Sequence, residues 1–224
     1  MSPKRRITKK QIKEDKLVTF SFRILELFQK YTNQILIGAG AVVVVTILIY
    51  FFLNSRATQA KEAGALLGQA NLELRAGNTQ SAISGLDMVI RRYAGTKSGK
   101  RAIFLLANAY FQSKEYQLAK DAFEKYLVQG KDPFLRASAC AGIAQCYLEM
   151  GEFSSAGENF LKATQVSSED FLRREYLFNA AWSFSKTGQK QKAKELYQKL
   201  IDQFSQSPQA EQAKLNLAEI QIRN

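Results

Sequence analysis

The 224-residue chain carries 32 Lys and Arg against 20 Asp and Glu, a net charge of +12, and no histidine. Without His it lacks the commonest general base and the commonest metal ligand. Cys140 and Cys146 lie six residues apart, about 240° around a helix, and so cannot bridge, while sparse Gly and Pro with abundant Ala, Leu, Lys, Gln and Glu predict an all-α fold.

Residues 1–33 form a basic tail, with nine Lys and Arg against three acids. Leu17, Phe20, Ile24, Leu25, Phe28 and Tyr31 recur at three- and four-residue spacing, with Lys16, Arg23 and Lys30 among them. That pattern predicts an amphipathic juxtamembrane helix lying along the inner leaflet. The tail's charge is accounted for by the adjacent apolar segment, and no nucleic-acid partner is expected.

Residues 34–54 are the predicted transmembrane helix. No charge occurs from Tyr31 to Ser55, and Ile35 to Leu53 is a continuous apolar run of 19 residues. At 1.5 Å rise, about 20 such residues cross a hydrocarbon core of about 30 Å. Tyr31, Tyr50, Phe51 and Phe52 lie where aromatic belts form. The run is too long for a cleaved signal, Ser55-Arg56-Ala57 is a poor cleavage site, and no lipoprotein cysteine follows. Basic residues before the run outnumber Arg56 and Lys61 just after it, which places the N terminus in the cytoplasm.

Beyond a short link, residues 57–224 repeat. Ala82…Leu86, Ala119…Phe123, Ala156…Phe160 and Ala193…Tyr197 recur every 37 residues. Each second helix follows a first helix with matching positions, as in Ile103-x2-Leu106-Ala107-x2-Tyr110 and Leu177-x2-Ala180-Ala181-x2-Phe184. Turns fall at Gly77-Asn78, Lys114-Glu115, Gly151-Glu152 and Gly188-Gln189, and Pro133 and Pro208 lie between repeats. The pattern resembles the tetratricopeptide repeat, which implies an α-solenoid of four helix pairs. The pairs run at about 63–96, 100–132, 137–168 and 174–207, with a capping helix at 208–222.

With the turn residue as repeat position 15, that resemblance makes positions 5, 9 and 12 of the first helices a protein-binding groove. Leu67, Phe104, Phe111 and Phe178 supply apolar pockets, Asn71, Asn108 and Gln145 amides for a peptide backbone, and Trp182 an anchor. The carboxylate clamp found in part of this repeat family is not assembled, because Leu67 and Glu175 stand where it needs bases. A second candidate surface is the basic stretch Arg91, Arg92, Lys97, Lys100 and Arg101, suited to anionic headgroups or an acidic partner. Cys140 and Cys146 are expected to be buried thiols.

No paired carboxylates, phosphate-binding glycine loop or metal-ligand spacing occurs. The sequence therefore predicts no catalytic residues, metal, cofactor or small-molecule substrate. A basic inward tail, one span and periplasmic repeats resemble the ancillary subunit of the bacterial Sec translocon. Arg92-Tyr93…Ser98 and Gln203–Pro208 also resemble repeats of cell-envelope assembly factors. The first resemblance implies an inner-membrane protein whose repeats bind the translocon, periplasmic chaperones or exported chains. The alternative is a self-associating scaffold of an envelope complex.

Overall fold

A computed structural model describes residues 9–222, which fold into helices α1 (Lys9–Arg75), α2 (Thr79–Tyr93), α3 (Lys97–Gln112), α4 (Tyr116–Gln129) and α5 (Pro133–Glu149), then α6 (Phe153–Val166), α7 (Asp170–Lys186), α8 (Lys190–Gln203) and α9 (Pro208–Ile222). Lys4, Arg5 and Arg6 of the basic tail lie outside the described residues, as do the side chains of 9–17, 27, 28 and 35. The chain divides into two compact units, Met1–Ala57 and Thr58–Asn224.

In the first unit the apolar side chains from Leu36 to Leu53 are exposed, from 48 % at Ile47 to 73 % at Ile37. No described protein surface covers them. The hydroxyl of Thr46, polar within this run, donates to the carbonyl of Val42 at 2.8 Å and so needs no outside partner. The Arg56 guanidinium lies 4.6 Å above the Phe52 ring at the end of the run.

The second unit is all helix among the described residues. The end of α1 pairs with α2, then α3 with α4, α5 with α6 and α7 with α8, leaving α9 against α8. The 37-residue spacing has a direct physical cause. Ala82, Ala119, Ala156 and Ala193 are all fully buried, and four residues on Leu86, Phe123, Phe160 and Tyr197 are at most 2 % exposed. The small residue admits the partner helix and the large one fills the space it leaves. Between the two helices of each pair the backbone takes a left-handed residue: Gly77, Lys114, Gly151 and Gly188, with φ of 82°, 61°, 79° and 74°. In the first three turns the same two bonds close the helix end. Gly77 N–H donates to Leu74 and Asn78 N–H to Glu73, Lys114 to Phe111 and Glu115 to Tyr110, Gly151 to Leu148 and Glu152 to Tyr147.

Glycines in the third pair set how closely helices approach. A Cβ on Gly142 would lie 2.5 Å from the Phe123 ring, and one on Gly157 would lie 2.7 Å from Phe184. Both thiols are free and buried, Cys140 in the cluster with Phe160 and Tyr176 and Cys146 in the one with Phe123 and Tyr126. Burial raises both above the usual thiol range and pushes Cys146 up to about 11.

Candidate partner-binding surface

The eight groove candidates fall at repeat positions 5, 9 and 12 of successive first helices, and they differ in what they offer. Gln145 is exposed on α5. Leu67 and Asn71 are half-buried, and Leu67 packs against the core of the first pair. Asn108 donates from Nδ2 to the carbonyl of Phe104 at 3.1 Å, so one amide hydrogen is engaged along its own helix.

The aromatic candidates are fastened to their own repeats. Phe104 stands edge-on to Phe123 and Tyr126, with centroids 5.6 and 5.5 Å away. Phe111 meets Tyr116 at 5.4 Å, and Phe178 meets Tyr197 at 5.8 Å. These contacts hold the first helix of each pair against its second, while part of each ring faces solvent. At the other repeat positions of this row, Leu74 and Ala141 are buried and Leu148 and Ser185 half-buried.

Trp182 is different, because it borders a cleft. Its indole meets Phe153 edge-on at 6.0 Å, and the Lys186 ammonium lies 5.1 Å from the ring centroid. Ser185 donates to the Trp182 carbonyl at 2.6 Å, tying its side chain to the helix. The cleft, about 450 Å³, is completed by Lys190 and Tyr197 from α8 and by Asn216, Glu219 and Ile220 from α9. Asn216 Nδ2 donates to the Tyr197 hydroxyl at 3.0 Å, which holds the last helix in place. Burial raises the Tyr197 pKa, so that hydroxyl stays neutral. The cleft thus combines an aromatic wall, a cation at its rim and amide and carboxylate groups on its far side. Its α9 residues were outside the sequence-derived set, since no repeat consensus covers a lone last helix.

The basic stretch lies at the opposite end of the helix pairs from the left-handed turns. Arg91, Arg92, Lys97 and Arg101 are exposed and Lys100 is half-buried, and none of the five forms an ion pair among the described residues. Arg91 and Arg92 border a shallow depression of about 410 Å³ with Ser84, Asp87 and Met88. The α3 start between them is closed locally, as the Thr96 hydroxyl accepts from Gly99 N–H at 2.9 Å.

Two family profiles match the chain: a tetratricopeptide repeat-like domain over residues 26–176 and a tetratricopeptide repeat over 175–207. Among solved structures, a putative kinesin light chain with nearly identical TPR-like repeats from Podosopora anserina matches with a TM-score of 0.57 at 19 % identity. That match covers 72 % of this chain and 85 % of the other. A tetratricopeptide repeat protein from Parabacteroides merdae matches with a TM-score of 0.61 at 15 % identity, covering 73 % and 61 %. The protein MamA matches at 0.54 and 19 %, covering 62 % and 77 %. At these identities the likeness concerns the fold.

Proposed function

From its membership of the tetratricopeptide repeat-like domain family, to which this chain belongs, we propose a membrane-held protein-binding module at the outer face of the bacterial inner membrane. Repeat solenoids of this kind act through extended surfaces that hold other proteins, without chemistry of their own. The observation that carries the membrane part is the uncovered apolar helix surface from Leu36 to Leu53. An exposed apolar surface of this size is stable in lipid and not in water. The family match begins at residue 26, before the uncharged run, which supports reading the run and the repeats as one unit of descent.

The basic excess before the span puts the tail inside and the repeats outside. There the first helices and the Trp182 cleft engage the translocon, a chaperone or an emerging exported chain. Gln145 and Trp182 are the residues best placed to touch such a partner, one exposed and one beside a cleft. Lipid is met through one spanning helix, and no nucleic acid, cofactor or small-molecule substrate enters the reading.

Protease added to spheroplasts tests the topology. Residues 57–224 are digested and the tail is protected if the reading is right; the reverse pattern sinks it. Purification in mild detergent tests the partner. Recovery of a translocon component, chaperone or exported chain supports binding, whereas recovery of the chain with itself alone supports the scaffold alternative.

A further inference from the structure

The helix ends between successive pairs form one edge of the repeat unit, and its chemistry is uneven in an informative way. Val128 is 86 % exposed, Phe134 48 %, Val166 36 % and Phe171 53 %. All four lie at the end of a second helix or the start of a first helix. Phe134 and Phe171 are 37 residues apart, so they hold the same place in successive repeats. One repeat earlier that place is Lys97, and the place of Val128 is Arg91. Exposed phenylalanine and valine in the later repeats are therefore replaced by exposed lysine and arginine in the earlier one, along a single edge.

The carboxylates of this edge are mostly engaged locally. Glu62 accepts from the Tyr93 hydroxyl at 3.0 Å. Asp132 caps α5, accepting from Phe134 N–H at 3.0 Å and Leu135 N–H at 3.3 Å. Asp170 holds Arg173 at 3.0 Å. Gly64, which faces Ser98 at this same end, belongs to the segment that follows the uncharged run in sequence.

We propose that this edge, through Phe134 and Phe171 with the basic stretch from Arg91 to Arg101, rests on an anionic lipid surface. Phenylalanine on a surface that also carries basic residues buries at the boundary between headgroups and acyl chains, and arginine and lysine outside ion pairs are drawn to anionic headgroups. Aromatic and basic groups sharing one edge match lipid, in which apolar and anionic layers are stacked within reach of one another. The proposal rests on the membrane reading above for its setting, but it concerns a different set of residues.

The test uses the full chain in nanodiscs of phosphatidylcholine with or without phosphatidylglycerol, and lipids brominated on the acyl chains. An environment-sensitive fluorophore is attached in separate variants to Gln165→Cys on the edge, Ser113→Cys at the opposite helix ends, and Val44→Cys in the apolar run. Bromine is expected to quench the edge probe at least about threefold more than the Ser113→Cys probe, and only in anionic discs. Arg91→Glu with Arg92→Glu brings the two probes to nearly equal quenching, as does Phe134→Ser with Phe171→Ser; all four are exposed positions whose replacement spares the core. Equal quenching at the two ends, or none at the edge, overturns the proposal. So does an edge probe shielded only when a copurified protein is present, which would mean a protein partner. Quenching at Val44→Cys without quenching at the edge leaves the span standing and removes the docking surface, so the two readings fail separately.

Discussion

Replacing Gly142 by Ala separates packing from local helix preference, because the two predict opposite signs. Gly142 lies inside α5, where Ala is favoured over Gly by about 1 kcal/mol, so propensity alone predicts a more stable protein. The structure predicts a less stable one. An added Cβ lies 2.5, 2.5 and 2.9 Å from three atoms of the Phe123 ring, where apolar carbons settle at about 3.5–4.0 Å. Phe123 cannot swing away freely, since it is 2 % exposed and stands edge-on to Phe104. Overpacking of this kind costs about 1–3 kcal/mol. With a clash at the upper end of that range, the net loss after the propensity gain is about 2 kcal/mol. At about 2–4 °C per kcal/mol for a chain of this size, the melting temperature falls by about 4–8 °C. Thermal unfolding of the full chain in mild detergent, followed by circular dichroism, measures it. A second variant, Phe123→Leu with Gly142→Ala, recovers part of the loss relative to the sum of the single changes. A melting temperature that rises in the single variant refutes the proposed close approach of α4 and α5.

Lys114 holds a left-handed backbone at φ 61° where the other three turns use glycine; Lys114→Gly is expected to stabilise by about 1 kcal/mol in the same melt, and a loss would refute it. Arg136 Nη1 donates to the carbonyls of Leu127 and Gly130, closing the turn between α4 and α5. Arg136→Met should cost about 1–3 kcal/mol in denaturant titration by leaving those carbonyls without that donor, and an unchanged midpoint would contradict the assignment. The Cys146 thiol, raised by burial from 9.0 to about 11, stabilises the fold fully below pH 9 and loses that contribution as pH climbs toward 11. Cys146→Ser shows a smaller alkaline drop in stability than the wild-type chain, since Cys140 and the buried tyrosines keep their share, and an equal drop in the two would disprove it. Both thiols should resist maleimide in the native state and react once unfolded.

The repeat was legible because its spacing encodes a packing rule. A buried alanine followed four residues later by a large side chain recurs at one interval, and the same residues close each helix pair in space. The turn at Lys114 was also placed by that interval, although the left-handed backbone behind it was not visible in a lysine. The groove was less legible. Position 5 of the first helix borders both the solvent face and the second helix, so Phe104 and Phe178 satisfied an apolar groove and an inter-helix contact equally well in sequence. Their ring partners, Phe123 and Tyr197, decide how each ring is held. The role of Gly142 and Gly157 carries no sequence signal, because which ring stands opposite a glycine depends on tertiary packing. Asn216 and Ile220 were invisible as cleft residues, since they gain meaning only where α9 turns back onto α8.

The central claim is that the repeats hold another protein while anchored in the membrane. Site-specific photo-crosslinking in bacterial cells tests it, with a photoreactive amino acid at Gln145, at Trp182 and, as a control, at Ser113 among the exposed turns. Adducts with a translocon component, chaperone or exported chain, formed in the membrane fraction from the first two positions and not from the third, are the predicted result. Adducts only with a second copy of the chain, or the same adducts from all three positions, would contradict it.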